Sequence, residues 1–275
     1  MDDVHMKQRW VSMNISDKCI ILITLHKPCK LPEVSPVYKP IQVGFEPTIN
    51  SSFLRDNAGN NIAEKNGSYC ELTALYWGWK NLGVDTIGLC HYRRFLGSSH
   101  ASLISRIRKR QHILTEDQIE RMLNDYDIIL PNKRHYWIET RGSQYAHAHH
   151  IQDLEVTEAV LRERHPDYLP EWRNMLCSRS GHICNMFIMR KELLDEYCSW
   201  LFDILFEVEK RLDISAYSDN DKRVMGFLSE RMLDVWVKTR KLRYIEVPMI
   251  NLESQHWLHK GFAFIKRKIT GKVEM

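Results

Sequence analysis

The segment IGLCHYRRF (87–95) places a histidine, a tyrosine and two arginines directly after an apolar run. Such a run predicts a buried strand, so that His91, Tyr92, Arg93 and Arg94 are expected at its carboxyl end. A guanidinium group binds two phosphate oxygens at once and keeps its charge at any physiological pH. The segment therefore indicates an anion site, although ion pairs between these arginines and neighbouring acidic residues explain the pattern equally well.

Two further polar segments are expected at the same edge of the sheet. RDNAGNN (55–61) follows the second predicted strand, and HYWIETRGSQYAHAHH (135–150) follows the fourth. Because ligands of open α/β sheets bind at the carboxyl ends of strands, the three segments are expected to line one crevice. His147, His149 and His150 suit zinc, polar substrate contacts or plain surface positions, and no acidic partner at metal-ligand spacing adjoins them.

Apolar runs and helical spacing predict an α/β fold. Strands are predicted at CIILITLHK (19–27), IQVGF (41–45), DTIGLCHYRRF (85–95), DIILP (127–131), HICNMFIMR (182–190) and LRYIEVPMI (242–250). Helices are predicted over 71–82, 115–126, 153–165, 192–212 and 221–240. This alternation indicates a single domain with a mostly parallel central sheet flanked by helices. Within the strand of the opening segment, alternation of side chains implies that only one of Arg93 and Arg94 reaches a ligand.

The composition and the missing motifs exclude several classes of protein. A formal net charge of +4 does not indicate nucleic-acid binding. Seven cysteines without a CxxC pair support neither a disulfide framework nor a zinc site. The motifs GxGxxG, GxxxxGK[ST], GxSxG and HExxH are absent, which argues against dinucleotide folds, P-loop enzymes, α/β-hydrolases and zincins. With no signal peptide and no apolar run near the ~20 residues of a membrane span, we expect a cytoplasmic protein.

Two basic clusters, RIRKR (106–110) and KRKITGK (266–272), depart from the otherwise even charge distribution. They are explained either as solvated segments or as a peripheral contact with an acidic membrane surface.

The chain resembles a family of bacterial capsular and exopolysaccharide glycosyltransferases that was long catalogued as a domain of unknown function (DUF4422-type). The matching blocks, in order, are RDNAGNNIAEKNGSYCELTALYWGWKN, IGLCHYRRF, DIILPNKRHYWIET, QYAHAHHIQDLEVT, SGHICNMFIMRKELLDEYCSWLFDILFEVEKR and GFLSERMLDVWV. They define a domain over 19–257, with an N-terminal extension (1–18) and a basic C-terminal tail (258–275). The resemblance implies a GT-A-like fold and sugar transfer from a nucleotide donor, UDP-galactofuranose with inversion, to a lipid-linked or polysaccharide glycan.

The resemblance also bears on metal use. GT-A enzymes usually place an Asp-x-Asp motif at the end of a central strand, where a divalent cation holds the diphosphate. The equivalent strand here ends in His91, Tyr92, Arg93 and Arg94. We therefore expect no metal and no cofactor, with the arginines stabilising the departing UDP and the histidine and tyrosine as hydrogen-bond donors.

Candidate substrate-binding and catalytic residues follow from the matched blocks. For the donor's ribose or base they are Asp56, Asn57, Asn61 and Asn66, which are equally common as turn formers. Glu230 is the first candidate for the base that deprotonates the acceptor hydroxyl, and the alternative for it is an ion pair with Arg231 or Arg223. Asp219, Asp221, His149 and His182 are further candidates for that role, although Asp221 also suits a helix cap. His182 and Asn185 are candidate acceptor contacts.

Two other functions stay open at this point. One keeps the fold and uses UDP-galactopyranose or another UDP-hexose as donor. The other, of a different class, is a non-catalytic nucleotide-sugar-binding subunit of a polysaccharide assembly complex.

Overall fold

The computed structural model of the chain describes residues 18–98 and 112–252. The basic cluster at 106–110, the C-terminal tail at 258–275 and nearly all of the N-terminal extension lie outside these residues. None of the helices within the described ranges is both long and apolar enough to cross a membrane.

Within these ranges the chain forms eleven strands and eight α-helices. The strands are β1 (Cys19–Leu25), β2 (Tyr38–Gln42), β3 (Leu54–Arg55), β4 (Thr86–His91), β5 (Arg94–Leu96), β6 (Ile128–Pro131), β7 (Arg134–His135), β8 (Ser180–Gly181), β9 (Phe187–Arg190), β10 (Tyr244–Val247) and β11 (Met249–Asn251). The helices are α1 (Asn66–Tyr69), α2 (Leu72–Asn81), α3 (Glu116–Asp125), α4 (Arg141–Ala148), α5 (Ile151–Arg164), α6 (Leu169–Cys177), α7 (Lys191–Arg211) and α8 (Val224–Thr239).

The central sheet has the strand order β10-β6-β9-β4-β1-β2-β3. The pairs β3–β2, β2–β1, β1–β4 and β6–β10 are parallel. The strand β9 lies antiparallel between β4 and β6, and β5 and β11 add an antiparallel extension next to β4. The predicted α/β fold with a mostly parallel sheet flanked by helices is confirmed.

The strand β1 shows why its sequence is apolar at every position but one. All seven of its side chains are buried, because the sheet is covered on both faces. Ile20 and Leu22 pack into a core with the helices α2, α7 and α8. Ile21 and Ile23 face the other side and pack with residues of α3 and of β5.

Four predicted strands differ clearly from those observed. The second of the chain, predicted over 41–45, lies earlier, at Tyr38–Gln42. The strand of the opening segment ends at His91, and the chain turns so that β5 pairs back with β4 at Arg94. The run 182–190 is a strand only from Phe187 onward, because Cys184 and Asn185 have positive φ angles of 73° and 47°. The last predicted strand divides at Pro248, which has no N–H to donate.

Besides the single turn of α1, two longer helices form where no helix was predicted. The helix α4 begins after Thr140, whose hydroxyl accepts from the N–H of Ser143 at 3.1 Å. The helix α6 carries Pro170 in its first turn, where the missing N–H costs nothing. Both segments lack a clear apolar repeat, and tertiary packing of residues such as Tyr145 and Trp172, which are fully buried, decides their conformation.

Gly88 provides a test of how tightly the central sheet is packed. A Cβ added there would lie 2.7 Å from Ile21 Cδ1, 2.8 Å from Ile188 Cγ1 and 2.9 Å from the carbonyl oxygen of Phe187. We expect Gly88→Ala to lower the free energy of unfolding by about 2 kcal/mol, measured by urea denaturation, because the backbone oxygen cannot move aside.

Gly83→Ala is the matched control. No heavy atom lies within 4 Å of a Cβ added at Gly83. We expect its unfolding free energy to stay within about 0.5 kcal/mol of the parent. Similar losses for both variants would contradict this account of the packing.

Candidate anion-binding cleft at the end of the central strands

A cleft of about 630 Å³ opens at the carboxyl ends of β1 and β4. Its lining comes from the ends of three neighbouring strands, from α1 and the start of α2, and from α8 with the loop before it. The charged and polar residues that line it are His26, Lys27, Glu46, Asn66, Cys70, Glu71, His91, Tyr92, Arg93, Arg94, Asp219, Arg223 and Glu230. This is the position where open α/β sheets bind their ligands.

One side of the cleft is cationic. Its charged groups are Lys27, Arg93, Arg94 and Arg223, and we call this set the cationic wall. Burial lowers the pKa of the neighbouring His26, and the positive charges of Lys27, Arg93 and Arg223 lower it further. A histidine that resists protonation in this way reports a positive potential, which favours an anionic ligand.

Both arginines of the opening segment line the cleft, contrary to the expectation that only one would. The reason is the turn, since Arg93 lies in it and Arg94 begins the next strand. The ring of Tyr92 supports this part of the wall, with Lys27 Nζ at 5.8 Å and Arg93 Cζ at 5.6 Å from its centroid. The Nε of Arg94 is buried and has no hydrogen-bond partner among the described residues.

Four carboxyl groups also line the cleft, those of Glu46, Glu71, Asp219 and Glu230. Glu230 extends from α8 and is partly exposed in the cleft. Desolvation raises its pKa, and the negative charge of Glu71 raises it further. Glu71 lies just before α2, where its Oε1 accepts a 2.8 Å hydrogen bond from the side-chain amide of Asn185. The predicted ion pair of Glu230 with Arg231 does not form, because Arg231 donates to Phe227 O and Gln144 Oε1.

The arrangement is suited to bind a negatively charged ligand next to a group that can take up a proton. The cations come from the ends of β1 and β4 and from the turn before α8, and Glu230 on α8 and Glu71 before α2 line the same cleft. A carboxyl group with a raised pKa becomes a better proton acceptor near neutral pH.

Seven of the predicted site residues lie in the cleft, namely His91, Tyr92, Arg93, Arg94, Asn66, Asp219 and Glu230. Their catalytic and binding roles stay predictions. The Nε2–H of His91 donates to the carbonyl oxygen of Cys184 at 2.7 Å, and this bond fixes the ring at the end of β4. Asn66 donates from its side chain to Cys70 O at 2.9 Å, which stabilises the turn between α1 and α2.

The predicted ribose-binding residues other than Asn66 do not line the cleft. Asp56 is fully buried and accepts hydrogen bonds from the N–H of Gly44 and the hydroxyl of Thr73. Desolvation raises the pKa of Asp56 to about 6. Asn61 stabilises a turn by accepting from the N–H of Ala63, and Asn57 is partly exposed in the same loop. These residues shape the loop, as turn formers do.

His149 and Asp221 form a pair behind the cleft. The imidazole Nδ1 lies 3.0 Å from Asp221 Oδ1, and the ring stacks on Phe227 with centroids 4.2 Å apart. Asp221 belongs to the 3₁₀ turn (Asp221–Arg223) that leads into α8, so that this contact holds the segment carrying Arg223. Within the described residues, no group of three or more His, Cys, Asp or Glu side chains is arranged to hold a metal ion.

His182 and Asn185 lie inside the protein rather than on the cleft surface. His182 is buried, and its Nδ1 donates to the buried carboxylate of Asp234, which also accepts from Arg141. Asn185 is also buried, and the hydroxyl of Ser229 donates to its Oδ1 at 2.8 Å. Neither side chain is therefore placed to contact an acceptor directly.

The sequence analysis missed several cleft residues. His26 and Lys27 follow directly after β1, while His91 ends β4 and Tyr92 follows it. The rule that ligands bind at the carboxyl ends of strands therefore applies to both pairs of residues. Glu71 stands at the start of a predicted helix, where a negative charge suits the helix dipole, and nothing in the local sequence separates that explanation from a role in the cleft.

The fold and the cleft together define an α/β protein with a polar binding site at the carboxyl edge of its sheet. The sequence profile of the family described as a domain of unknown function (DUF4422) matches residues 20–241, and the chain belongs to this family. The predicted family resemblance is thereby confirmed.

The structure is also similar to a solved apo structure of WbbM, a bifunctional glycosyltransferase, with a TM-score of 0.77 and 28% sequence identity. The similarity covers 86% of this chain and 46% of that chain, so this chain spans about half of the length of that protein. No curated protein gives a significant match.

The buried contacts of Asp234 predict a large effect on stability. We expect Asp234→Ala to lower the free energy of unfolding by about 3–5 kcal/mol, because Arg141 would be left buried without its partner. Burial opposes ionisation of Asp234, but hydrogen bonding to His182 and the charge of Arg141 lower its pKa overall. This stabilisation is therefore present above the ordinary pKa of Asp and is lost as the pH falls toward the lowered value.

Asp219→Ala serves as the control, because its side chain is fully exposed and pairs only with Lys222 at 3.5 Å. Urea denaturation at pH 7 should show a change of no more than about 0.5 kcal/mol. A loss at Asp234 that is no larger than this would show that the buried contacts contribute little.

Proposed function

We propose that the chain is a glycosyltransferase that moves a sugar from a nucleotide donor to a glycan acceptor. The observation that carries this proposal is the cleft that Arg93, Arg94 and Arg223 line together with the partly buried carboxyl group of Glu230. The family resemblance and the similarity to WbbM, a bifunctional glycosyltransferase, support the same class of reaction. A GT-A-like organisation of the domain is part of the proposal.

In this reaction the cationic wall binds the diphosphate of the donor. Guanidinium groups form paired, charge-assisted hydrogen bonds with phosphate oxygens, and they do so without a change of protonation. As the bond between the sugar and the diphosphate breaks, negative charge builds on the departing UDP. Cations that are already in place stabilise this charge without reorganising.

The residues at the end of β4 do not fit a divalent cation. Mg²⁺ prefers carboxylate and other oxygen ligands, and Mn²⁺ takes the same class of ligand. His91, Arg93 and Arg94 instead provide one imidazole, held by Cys184 O, and two permanent positive charges. We therefore propose that the reaction needs no metal.

Glu230 acts as the base in this proposal. Its carboxylate takes the proton of the acceptor hydroxyl while the acceptor oxygen attacks the anomeric carbon. The bond from that carbon to the diphosphate oxygen breaks, and UDP leaves with the electron pair. Attack from the face opposite to the leaving group inverts the anomeric configuration.

The family resemblance favours UDP-galactofuranose as donor, and UDP-galactopyranose or another UDP-hexose is the alternative. The acceptor in this proposal is a lipid-linked or polysaccharide glycan on the cytoplasmic side of the membrane. The sequence has seven cysteines, an odd number, without a CxxC pair, which favours a reducing compartment. We propose peripheral membrane contact for the basic clusters, which lie outside the described residues.

The test is UDP release from a panel of UDP-sugars, with extracted lipid-linked glycan as acceptor, in EDTA and in Mn²⁺. We expect turnover in EDTA, and a fall of about 100-fold in kcat/KM when Arg93 or Arg94 is changed to Ala, since each removes a charge that stabilises UDP. Arg173→Ala is the control, because Arg173 is exposed and pairs with Glu158 far from the cleft. This variant should keep the parent rate.

Each other outcome has a definite meaning. Turnover only with Mn²⁺ would keep the glycosyltransferase and overturn the metal-free mechanism. UDP-sugar binding by calorimetry without release of UDP for any donor and acceptor would favour the non-catalytic nucleotide-sugar-binding subunit.

A further inference from the structure

Glu71 is a cleft carboxylate to which the proposed reaction gives no task. It lies between Cys70, which also lines the cleft, and the first turn of α2. Its side chain is only 12% exposed. A carboxylate this far removed from water is stabilised by specific partners, and the partners of Glu71 are unusual.

The main partner of Glu71 is the buried side chain of Asn185. The amide nitrogen of Asn185 donates to Glu71 Oε1 at 2.8 Å and to the carbonyl oxygen of Gly226 at 3.2 Å. The oxygen of the same amide accepts from the hydroxyl of Ser229. Every polar atom of the Asn185 amide is thus engaged, and its orientation toward Glu71 is fixed by α8.

The backbone that delivers these contacts is strained. Cys184 and Asn185 have consecutive positive φ angles of 73° and 47°, a region that L-residues other than Asn, Asp and Gly rarely adopt. The carbonyl of Cys184 holds His91, and the side chain of Asn185 holds Glu71. Strain of this kind persists where the surrounding structure requires it and concentrates at functional sites.

The charged and titratable groups around the two carboxyl groups come from every neighbouring element. They are Cys70 and Glu71 before α2, His91 and Arg94 from β4 and β5, Cys184 before β9, and Arg223, Glu230 and Arg231 from α8 and the turn before it. His91 Nε2 lies 3.9 Å from Glu71 Oε1. Glu71 and Glu230 are the two acids of this group.

We propose that Glu71, held in place by Asn185, is a positioning residue that acts through Glu230 and forms a two-carboxylate unit with it. This inference rests on the proposed function, because it assigns the second acid of the same site. The hydrogen bond from Asn185 holds the Glu71 carboxyl group in the cleft, and the charge of Glu71 favours the protonated form of Glu230. Two of the acids that line the cleft thereby have different tasks, since Glu71 sets the electrostatic environment and Glu230 accepts the proton.

The charge of Glu71 affects Glu230 in a direction that can be measured. Burial is the larger cause of the raised pKa of Glu230, and the charge of Glu71 is the second. Glu71→Gln keeps the shape and an oxygen that can accept from Asn185, but it removes the charge. We therefore expect the pKa of Glu230 to fall in this variant, because a neighbouring like charge is removed.

The first measurement uses no substrate. Carboxyl ¹³C NMR of protein labelled at glutamate follows the titration of Glu230, whose signal is identified by its loss in Glu230→Gln. We expect the titration midpoint of Glu230 to move to lower pH in Glu71→Gln. Asn185→Gly removes the amide while suiting the positive φ, and it should move the midpoint in the same direction because Glu71 is no longer held beside Glu230.

Glu64→Gln is the control for a general change in charge, because Glu64 is exposed and lies outside the cleft. The midpoint of Glu230 should not move in this variant. An unchanged midpoint in Glu71→Gln, or an equal shift in Glu64→Gln, would overturn the proposal.

The second measurement is the pH dependence of kcat/KM for UDP release, whose acidic limb reports the base of the free enzyme. The acidic limb should move to lower pH in Glu71→Gln by the same amount as the NMR titration. A shifted NMR midpoint with an unshifted acidic limb would overturn the catalytic pairing, because Glu230 would not be the base. Absence of UDP release in the parent protein would count against the proposed function. The NMR titration would then test the electrostatic coupling between Glu71 and Glu230 without the kinetic measurement.

Discussion

The parallel pairing of β1 with β4 is the constraint on which the cleft depends. Thr24 lies opposite His91 in this register, so both strands leave the sheet at the same level. The hydroxyl of Thr24 donates to Cys90 O at 3.1 Å, and the N–H of Tyr92 donates to Thr24 O at 3.1 Å. These bonds continue the pairing beyond the regular ladder. As a result, the cations that follow the two strands face one ligand rather than two separate regions of solvent.

The cleft places strongly charged groups where solvent is limited, and this placement has a cost. Desolvation is the largest cause of the raised pKa of Glu230, and it is also the largest cause of the lowered pKa of His26. Proteins offset such costs with hydrogen-bond partners that are held in place. Here Asn185 donates to Glu71, and the carbonyl oxygen of Cys184 accepts from His91. The supporting residues lie under the cleft and are themselves buried. A change in them would alter the chemistry without touching a ligand.

The sequence predicts the strands well where burial on both faces makes the apolar run continuous, as in β1 and β6. It predicts the edge of the sheet at which the cleft lies, because that rule depends only on strand direction. The sequence does not predict the structure correctly where a turn or a residue with a positive φ angle changes the direction of the backbone. The turn after His91 and the positive φ angles of Cys184 and Asn185 depend on contacts between distant segments, which local patterns do not contain.

Polar side chains are harder to assign from sequence than apolar ones. Asp56 and Asn185 are each of a type that suits ligand binding, and each is buried and bonded within the protein instead. His182 is engaged in the same way by Asp234. Whether a polar group faces a ligand or another element depends on which segment packs against it. That information arises only when the fold is complete.

The direction of β9 has a consequence for the geometry of the site. Because β9 runs antiparallel to β4, with Phe187 opposite Leu89 and Arg190 opposite Thr86, its first residue lies near the carboxyl ends of the parallel strands. A parallel strand in this place would begin at the opposite edge, roughly 10 Å away for a strand of this length. The segment that contains Cys184 and Asn185 therefore lies beneath the cleft, in the middle of the sheet, where it bonds to His91 and Glu71. Reversal of one strand thus brings a buried segment into contact with two residues that line the site.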